Sequence, residues 1–305
     1  MGKKFGDRKD GTLLRKLDAI HFIMPLIYPN RCDNEAFISQ RIDLTNLDKY
    51  IAEKNSDNPK YKYTLFQAVV SAVLKVVILR PKMNRFIANG NYYQRNEASA
   101  SFIVKKIFSD NGEEGMAYIR ATKDYTIDSV HDEIFRQVSV CRSDGGSSGT
   151  DDALDIFNRM PRFLAKLIVK FICFLDRHGK VPQSVVESDP YYASAILSNL
   201  GSIKLKSGYH HLTNWGTTSI FVVVGERKFR PFYRKDGSFE MKNSIDLGLT
   251  VDERIGDGYY FSKTVRLLKK LLENPELLDK PFGEEVEYYG RYYNGRNNCK
   301  DTVER

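Results

Sequence analysis

Apolar and polar residues alternate with two different periods along the chain, and these periods predict both helices and strands. Apolar residues recur at helical spacing in four segments, predicted as amphipathic helices: 65–79, 126–140, 161–176 and 259–273. Shorter helices are predicted at 12–21 and 46–55. Strands are predicted at 36–44, 101–108, 116–121, 193–197, 219–224, 227–234 and 238–250. Because strands and helices do not alternate regularly, this order favours an α/β two-layer sandwich of a mixed β-sheet and helices.

The same pattern predicts one folded domain between two less regular ends. Residues 1–35 are predicted to form an N-terminal arm, and 36–293 the domain itself. Serine, glycine and aspartate dominate residues 143–152, which indicates a flexible loop within that domain. Residues 294–305 are predicted to be a polar tail.

Composition excludes several classes of protein. The chain has 305 residues, of which 42% are hydrophobic, enough for a sizeable core. No apolar run reaches the roughly 20 residues that a membrane span needs, and the N-terminus lacks the apolar stretch of a signal peptide. The 4 cysteines include no Cys-x-x-Cys pair, so neither a disulfide framework nor a metal site is expected. We therefore expect a cytoplasmic protein without a permanently bound cofactor.

The net charge of +8 suits an anionic partner of some kind. Nucleic acid, an anionic membrane and a phosphate-rich ligand such as coenzyme A would all fit. The basic residues are dispersed, and the chain contains no helix-turn-helix, zinc-finger or ribonucleoprotein motif. A nucleic-acid partner is therefore not expected.

The predicted helix at 161–176 allows two interpretations. Its apolar residues are accompanied by Arg162, Lys166 and Lys170, which recur every four positions and so form one stripe. A basic amphipathic helix is typical of proteins that lie on a membrane surface. Packing on the domain or on a neighbouring subunit is the more ordinary arrangement, so membrane contact is not expected.

The segment Asp252-Glu-Arg-Ile-Gly-Asp-Gly258 resembles the signature Asp-His-Arg-x-x-Asp-Gly of the dihydrolipoyl acyltransferases, the cores of 2-oxoacid dehydrogenase complexes. Chloramphenicol acetyltransferase shares the His-x-x-x-Asp-Gly part. Every diagnostic position matches except that of the catalytic histidine, where this chain has Glu253. Three further stretches resemble the family in the same order: 41–47, the helix and its exit at 64–84, and Ile196-Leu-Ser-Asn-Leu-Gly201.

This resemblance extends over about 37–281 and implies a chloramphenicol acetyltransferase-like fold that forms a homotrimer. It also implies an active site at the subunit interface, where coenzyme A and the acyl acceptor enter a channel from opposite sides. The family's lipoyl and subunit-binding domains do not precede the domain in this sequence, so a free-standing trimer is the expectation. The function implied is transfer of an acyl group from a coenzyme A thioester to a small hydroxyl or thiol acceptor.

The resemblance also implies roles for individual residues. Ser198 takes the position of the family's oxyanion hydrogen-bond donor, and Asn199 and Gly201 take positions beside coenzyme A. Asp257 takes the position of a structural aspartate that pairs with an arginine, either Arg254 or Arg15. Gly258 is expected to allow a tight turn into the last helix.

Glu253 is the predicted base, although a glutamate ordinarily titrates near pH 4.3 and a histidine near 6.5. That difference weakens the base by roughly 3 kcal/mol, which desolvation of the carboxylate can offset. His211 or its neighbour His210 is the alternative base, because histidine has a suitable pKa. The other alternative is a catalytically inactive trimer that binds a ligand or partner.

Overall fold

The computed structural model describes residues 4–105, 114–142 and 160–288. The loop at 143–152 and the tail at 294–305 lie outside the described residues. None of the helices within the described ranges is long and apolar enough to cross a membrane.

A mixed sheet of seven strands forms one layer. The strands are β2 (Glu35–Asp43), β5 (Ala98–Lys105), β6 (Glu114–Ala121), β7 (Ala195–Asn199), β8 (Ile220–Val224), β9 (Lys228–Tyr233) and β10 (Phe239–Asp252). They follow the order β2-β10-β8-β7-β5-β6, and β9 pairs with residues 239–244 of β10. Strand β7 runs parallel to β5 and β8, and the other pairs are antiparallel.

Helices form the second layer, against one face of this sheet. The helices are α1 (Ala19–Ile27), α2 (Thr45–Lys54), α3 (Leu65–Leu79), α4 (Ile127–Arg142), α5 (Arg162–Arg177), α6 (Gln183–Ser188) and α7 (Gly258–Glu273). Alternate strand residues such as Leu197, Val222 and Leu249 join α3 and α7 in one hydrophobic core. The predicted two-layer fold with a mixed sheet is therefore confirmed.

Helix α3 shows why these segments fold where they do. Thr64 and Gln67 form a capping box at its start, each side chain bonding to the other residue's backbone. The helix is buried almost all round, including Lys75, whose ammonium donates to the carbonyls of Leu277, Lys280 and Pro281. A buried ammonium needs such partners, and these three bonds fasten the chain after α7 to the core.

The other face of the sheet is covered in part by the segment 200–216. This segment can lie flat on the strands because two glycines face it. A Cβ atom on Gly248 would lie 1.9 Å from the carbonyl oxygen of Gly208, and one on Gly225 would lie 2.4 Å from the nitrogen of Ser207. Leu212 from this segment forms a small cluster with Ile196, Phe221 and Val223 of the sheet.

The predicted helix at 12–21 is wrong. Residues Gly11–Leu13 instead form β1, which pairs with β4 (Asn91–Arg95), and β4 pairs with β3 (Arg85–Ala88) in a small second sheet. The helix begins later because the side chain of Asp18 accepts a hydrogen bond from the nitrogen of His21 and so caps α1. The arm is thus tied to the domain by backbone pairing.

Candidate active site

Glu253 lies in a turn, and the residues on either side of it, Asp252 and Arg254, are fully buried. Strand β10 ends at Asp252, and a single 3-10 turn, Glu253–Ile255, follows. Both carboxylate oxygens of Asp252 accept from the Arg254 guanidinium, at 2.8 Å from Nε and 2.7 Å from Nη2. Such a two-bond pair fixes the orientation of both groups, so the backbone between them has one geometry.

Further contacts tie this turn to the segment that precedes β2. Arg254 Nη1 donates to the carbonyl of Tyr28 at 2.8 Å, and the Glu253 nitrogen donates to the carbonyl of Asn34 at 2.9 Å. Nε of Arg31, also buried, lies 3.8 Å from Asp252, and burial lowers the pKa of Arg31. The whole arrangement leaves the Glu253 side chain on the surface of the protomer, exposed to solvent.

Tyr92 completes the buried side of this turn. Its hydroxyl donates to the carbonyl of Arg254 at 2.9 Å. Burial, reinforced by the nearby charge of Asp252, raises the pKa of Tyr92 to about 12, so the hydroxyl stays a donor at neutral pH. The turn is therefore held by hydrogen bonds from three separate parts of the chain.

Asp257 has no arginine partner among the residues that the structure describes. The guanidinium of Arg254 pairs with Asp252, and that of Arg15 pairs with Asp7 at 3.0 Å. Asp257 is instead the N-cap of α7, accepting from the nitrogen of Tyr260 at 2.7 Å. An exposed side chain at a helix start satisfies backbone donors there, so Asp257 holds the turn through the helix rather than through an ion pair.

Gly258 does not have the expected role either. It is the first residue of α7, without a left-handed backbone, and a Cβ atom there would meet open space. The tight exit from the turn therefore depends on the Asp257 cap and does not require glycine at this position.

Ser198 and Asn199 end β7, a central strand, at the opposite end of the strands from the Glu253 turn. Both side chains are half-buried, and neither has a hydrogen-bond partner among the residues that the structure describes. A 3-10 turn, Leu200–Ile203, follows directly. Gly201 packs against the residues that follow β8. A Cβ atom on Gly201 would lie 2.7 Å from the carbonyl oxygen of Gly225. The strand end is thus fixed, and its two polar side chains remain free to bond elsewhere.

The strand register separates Ser198 from Glu253 within one protomer. Ser198 lies beside Val223, which lies beside Gly248, so these residues share one row across the sheet. Glu253 follows Gly248 by five residues, and two strand spacings separate β10 from β7. These steps place the Cα atoms of Ser198 and Glu253 about 20 Å apart, too far for both side chains to contact one reacting group.

His210 and His211 lie between these two ends, on the face covered by segment 200–216. The His210 ring stacks on Phe221, with centroids 4.2 Å apart, and on His211 at 4.6 Å. Nδ1 of each ring bonds to a backbone carbonyl, at 2.9 Å for His210 and 2.8 Å for His211. Since a carbonyl only accepts, each neutral ring carries its proton on Nδ1 and leaves Nε2 as an acceptor.

The importance of Arg31, Asn34 and Tyr92 could not be read from the sequence. Each contacts the motif from more than 160 positions away, and none belongs to a recognisable pattern. Asp252 carried a signal, because it is the first residue of the motif, but nothing in the sequence showed that it would be the partner of Arg254. Among the described residues, no group of histidine, cysteine, aspartate and glutamate side chains could hold a metal ion.

Comparison with known proteins shows which family model and which solved structures this chain is similar to. Residues 186–279 match the family model of the 2-oxoacid dehydrogenases acyltransferase (catalytic domain). No curated protein matches the sequence of this chain. A probable dihydrolipoamide acetyltransferase from Listeria monocytogenes has a similar structure, with a TM-score of 0.56 and 16% identity over 92% of this chain and 99% of that one.

Two further solved structures are similar over most of the chain. Dihydrolipoamide acetyltransferase from Azotobacter vinelandii has a TM-score of 0.57 at 14% identity, covering 90% of this chain and 95% of that one. A truncated catalytic core from Thermoplasma acidophilum has a TM-score of 0.52 at 14% identity, covering 87% and 99%. The resemblance drawn from the sequence motifs is confirmed: residues 186–279 match the catalytic-domain model of the 2-oxoacid dehydrogenase acyltransferases, and the fold of the chain is similar to that of solved dihydrolipoamide acetyltransferases.

Proposed function

We propose that this protein transfers an acyl group from a coenzyme A thioester to a small hydroxyl or thiol acceptor in the cytoplasm. In this proposal, each active site forms between two copies of a homotrimer, with Glu253 from one copy and Ser198 from the next. One observation carries the proposal. The family motif positions are occupied by two exposed or half-exposed polar side chains that lie about 20 Å apart in one chain.

The reaction needs a base and an oxyanion donor, and the two half-sites supply one each. Glu253 takes the proton from the acceptor as its oxygen or sulfur attacks the thioester carbonyl. The hydroxyl of Ser198 donates to the oxyanion of the tetrahedral intermediate. When the intermediate collapses, the carbon–sulfur bond to coenzyme A breaks and the departing thiolate receives the proton from Glu253. Asn199 and Gly201, beside Ser198, are proposed to contact coenzyme A.

A relative's chemistry supports these assignments. Serine, histidine and asparagine residues have been investigated for their role in the catalytic mechanism of the Azotobacter vinelandii enzyme, the last two being four positions apart. Glu253 and Asp257 are also four positions apart, in a buried frame that holds the backbone between them. We propose that Glu253 acts where that enzyme has its histidine, with Asp257 anchoring the turn at the start of α7.

Exposed apolar surface beside the Glu253 turn supports a second copy at this place. Helix α1 contacts this turn, and most of its large apolar side chains are exposed, among them Ile20, Phe22 and Leu26. Such a patch beside a polar site is typical of a subunit interface. A neighbouring copy covering α1 would also remove water from Glu253, and desolvation makes a carboxylate a stronger base.

A histidine is the alternative base for the same reaction. The hydrogen bonds of His210 and His211 leave both Nε2 atoms as acceptors, and both residues are exposed. His210 stacks on Phe221, which pairs with Thr250, three residues nearer to the Ser198 row than Glu253 is. If one of these is the base, Glu253 has no part in the proton transfer.

The alternative function is an inactive trimer that binds a ligand or a partner. One observation favours it, namely that Glu253 makes no ion pair or hydrogen bond through its side chain within the described part of the protomer. A solvated carboxylate is a weak base. Binding of coenzyme A without release of free thiol under any condition would support this alternative.

Release of free coenzyme A thiol from acetyl-coenzyme A, measured over a panel of hydroxyl and thiol acceptors, tests the proposal. Glu253→Gln and Ser198→Ala should each lower kcat by about 100-fold or more, because each removes a group that acts in the transition state. Full activity in Glu253→Gln together with a loss in His210→Ala or His211→Ala would move the base to a histidine.

Two control variants match these changes. Glu276→Gln alters another exposed carboxylate, and Ser39→Ala alters an exposed serine in the same sheet row as Ser198, three strands away. Both should keep wild-type activity. Equal losses in the controls and the site variants would contradict the assignment of the site.

A further inference from the structure

Helix α5 presents an apolar face to solvent that the core does not use. Six of its large apolar side chains are exposed, and the four most exposed are Phe163 at 69%, Phe171 at 61%, Leu167 at 59% and Phe174 at 53%. At 100° per residue these four lie within one arc of about 80°. Phe163 and Phe174 are 11 residues apart on this helix, so the apolar strip extends over about 17 Å.

A second arc of the same helix is basic and lies directly beside the apolar strip. Arg162, Lys166, Lys170 and Arg177 share this arc, and all four are exposed. None of the four makes an ion pair with any residue that the structure describes. The one acidic residue of α5, Asp176, is buried. The exposed part of the helix therefore carries positive charge only.

The fold fixes which side of α5 faces out. The Asp176 carboxylate accepts from the hydroxyl of Tyr192 at 2.7 Å and from the nitrogen of Gly216 at 3.1 Å. Its carbonyl accepts from Nη1 of Arg8 at 2.7 Å. Ile168 and Ile172, on the side opposite the basic arc, are half-buried. The helix is thus attached by its C-terminal end and inner side, and its apolar and basic arcs remain on the surface.

Comparison with α1 separates two kinds of exposed apolar helix. Both helices expose several large apolar side chains, but α1 contains neither lysine nor arginine. An uncharged apolar face suits the apolar face of another copy of the chain. An apolar strip bordered by four unpaired cations suits a surface that is apolar inside and anionic at its edge, which is the boundary of a bilayer that contains acidic lipids.

We propose that α5 binds the protein to the surface of an anionic lipid bilayer, with its phenylalanine and leucine side chains inserted at the headgroup boundary. The four cations then face the phosphate and carboxylate groups of the lipids. The net charge of +8 adds a general attraction to such a surface. This inference is independent of the acyltransferase proposal, since no residue of the Glu253 turn or of the Ser198 strand end takes part.

Flotation with vesicles tests the proposal, using phosphatidylcholine alone and phosphatidylcholine with about 30% phosphatidylserine. The wild-type protein should float with the anionic vesicles only, and less so as salt rises. Lys166→Glu combined with Lys170→Glu should weaken binding by about 30-fold or more, since each cation near an anionic surface contributes about five-fold. Leu167→Ser combined with Phe171→Ser should weaken it similarly, through loss of the inserted side chains.

The matched control is Phe229→Ser, which removes an exposed apolar side chain from β9, outside both α5 and α1. It should leave vesicle binding unchanged. Equal flotation with both kinds of vesicle, or no loss in the two α5 variants, would overturn the proposal. The proposal would also be overturned if the wild-type protein bound no vesicle and the variant with Leu167→Ser and Phe171→Ser had a changed oligomeric state. A second copy would then cover α5. Unaltered thermal unfolding of the variants establishes that they fold.

Discussion

The candidate site residues at the two ends of the seven-stranded sheet are held in place by different interactions. At one end, Glu253 is carried by a turn that is clamped by the buried pair of Asp252 and Arg254. At the other end, Ser198 and Asn199 end a strand whose exit is shaped by close backbone packing at glycine. Buried charge fixes one half-site, and small residues fix the other. Both leave polar side chains on the surface without a partner in the described residues.

This difference indicates that the Glu253 turn is built for rigidity and the Ser198 end for access. In the proposed trimer, the charged turn must not move when a neighbouring copy binds, and a bidentate ion pair supplies that rigidity. In the same proposal, the Ser198 end admits a ligand, which fits its polar groups being free of bonds within the described residues. Changes at the first end should mainly lower stability, and changes at the second should mainly move the covering segment 200–216.

The largest effect is expected at the charged end. Asp252→Ala would leave the buried Arg254 and Arg31 without their carboxylate, so the free energy of unfolding should fall by about 3–5 kcal/mol. Urea unfolding of wild type and variant measures this change. Asp257→Ala, which removes only an exposed helix cap, should cost about 1 kcal/mol. Similar losses in both variants would show that the buried pair is not what holds the turn.

A smaller effect is expected where glycine holds the covering segment. Gly248→Ala places a methyl group 1.9 Å from the carbonyl oxygen of Gly208, so segment 200–216 must move, at a cost of about 1–3 kcal/mol. Gly258→Ala is the matched control, because open space surrounds its Cβ position and its backbone is not left-handed. The same urea unfolding experiment compares the free energies of unfolding of the two variants. An unchanged stability in Gly248→Ala would mean that the segment does not pack closely on the sheet.

The smallest effect concerns the exposed ion pairs near the Ser198 end. Asp246 on β10 pairs with Arg41 and Arg230. Burial would raise the pKa of Asp246, but the bonds and charges of Arg230 and Arg41 outweigh it and lower that pKa. Its contribution to stability is therefore full above its ordinary pKa near 3.8 and is lost as the pH falls below that value.

Because these groups are partly exposed, the contribution should be below about 1 kcal/mol. Unfolding measured between neutral pH and acid should show a shallower fall for Asp246→Asn than for wild type. Identical pH profiles would show that this pair contributes nothing measurable, and the contrast with the buried pair at Asp252 would then be sharper still.

The sequence predicted most of the layers and few of the contacts at the site. Long segments with a clear period, such as α3 and α7, appear where the pattern placed them, because packing and propensity agree there. The small second sheet was missed, although Asn89-Gly90 between two apolar runs is a hairpin signal and both residues have positive φ.

The contacts around Glu253 could not be predicted for a physical reason. Arg31 and Asp252 are far apart in sequence, and only the completed sheet brings them together. The role of Asp257 was different, since an aspartate directly before an apolar helix is a common N-cap, and that local signal was present. The family resemblance indicated an ion pair there instead. Local chemistry was the better guide at that position.

Complementation between two inactive variants tests the central claim, which is that each active site combines Glu253 of one copy with Ser198 of another. Ser198→Ala and Glu253→Gln are each expected to be nearly inactive when pure. Co-expressed in equal amounts, the two chains should mix at random in a closed ring, and about a quarter of the sites would then contain both intact residues. Recovery of about a quarter of wild-type activity is the predicted result. Mixed oligomers that stay as inactive as the pure variants would contradict a site shared between copies.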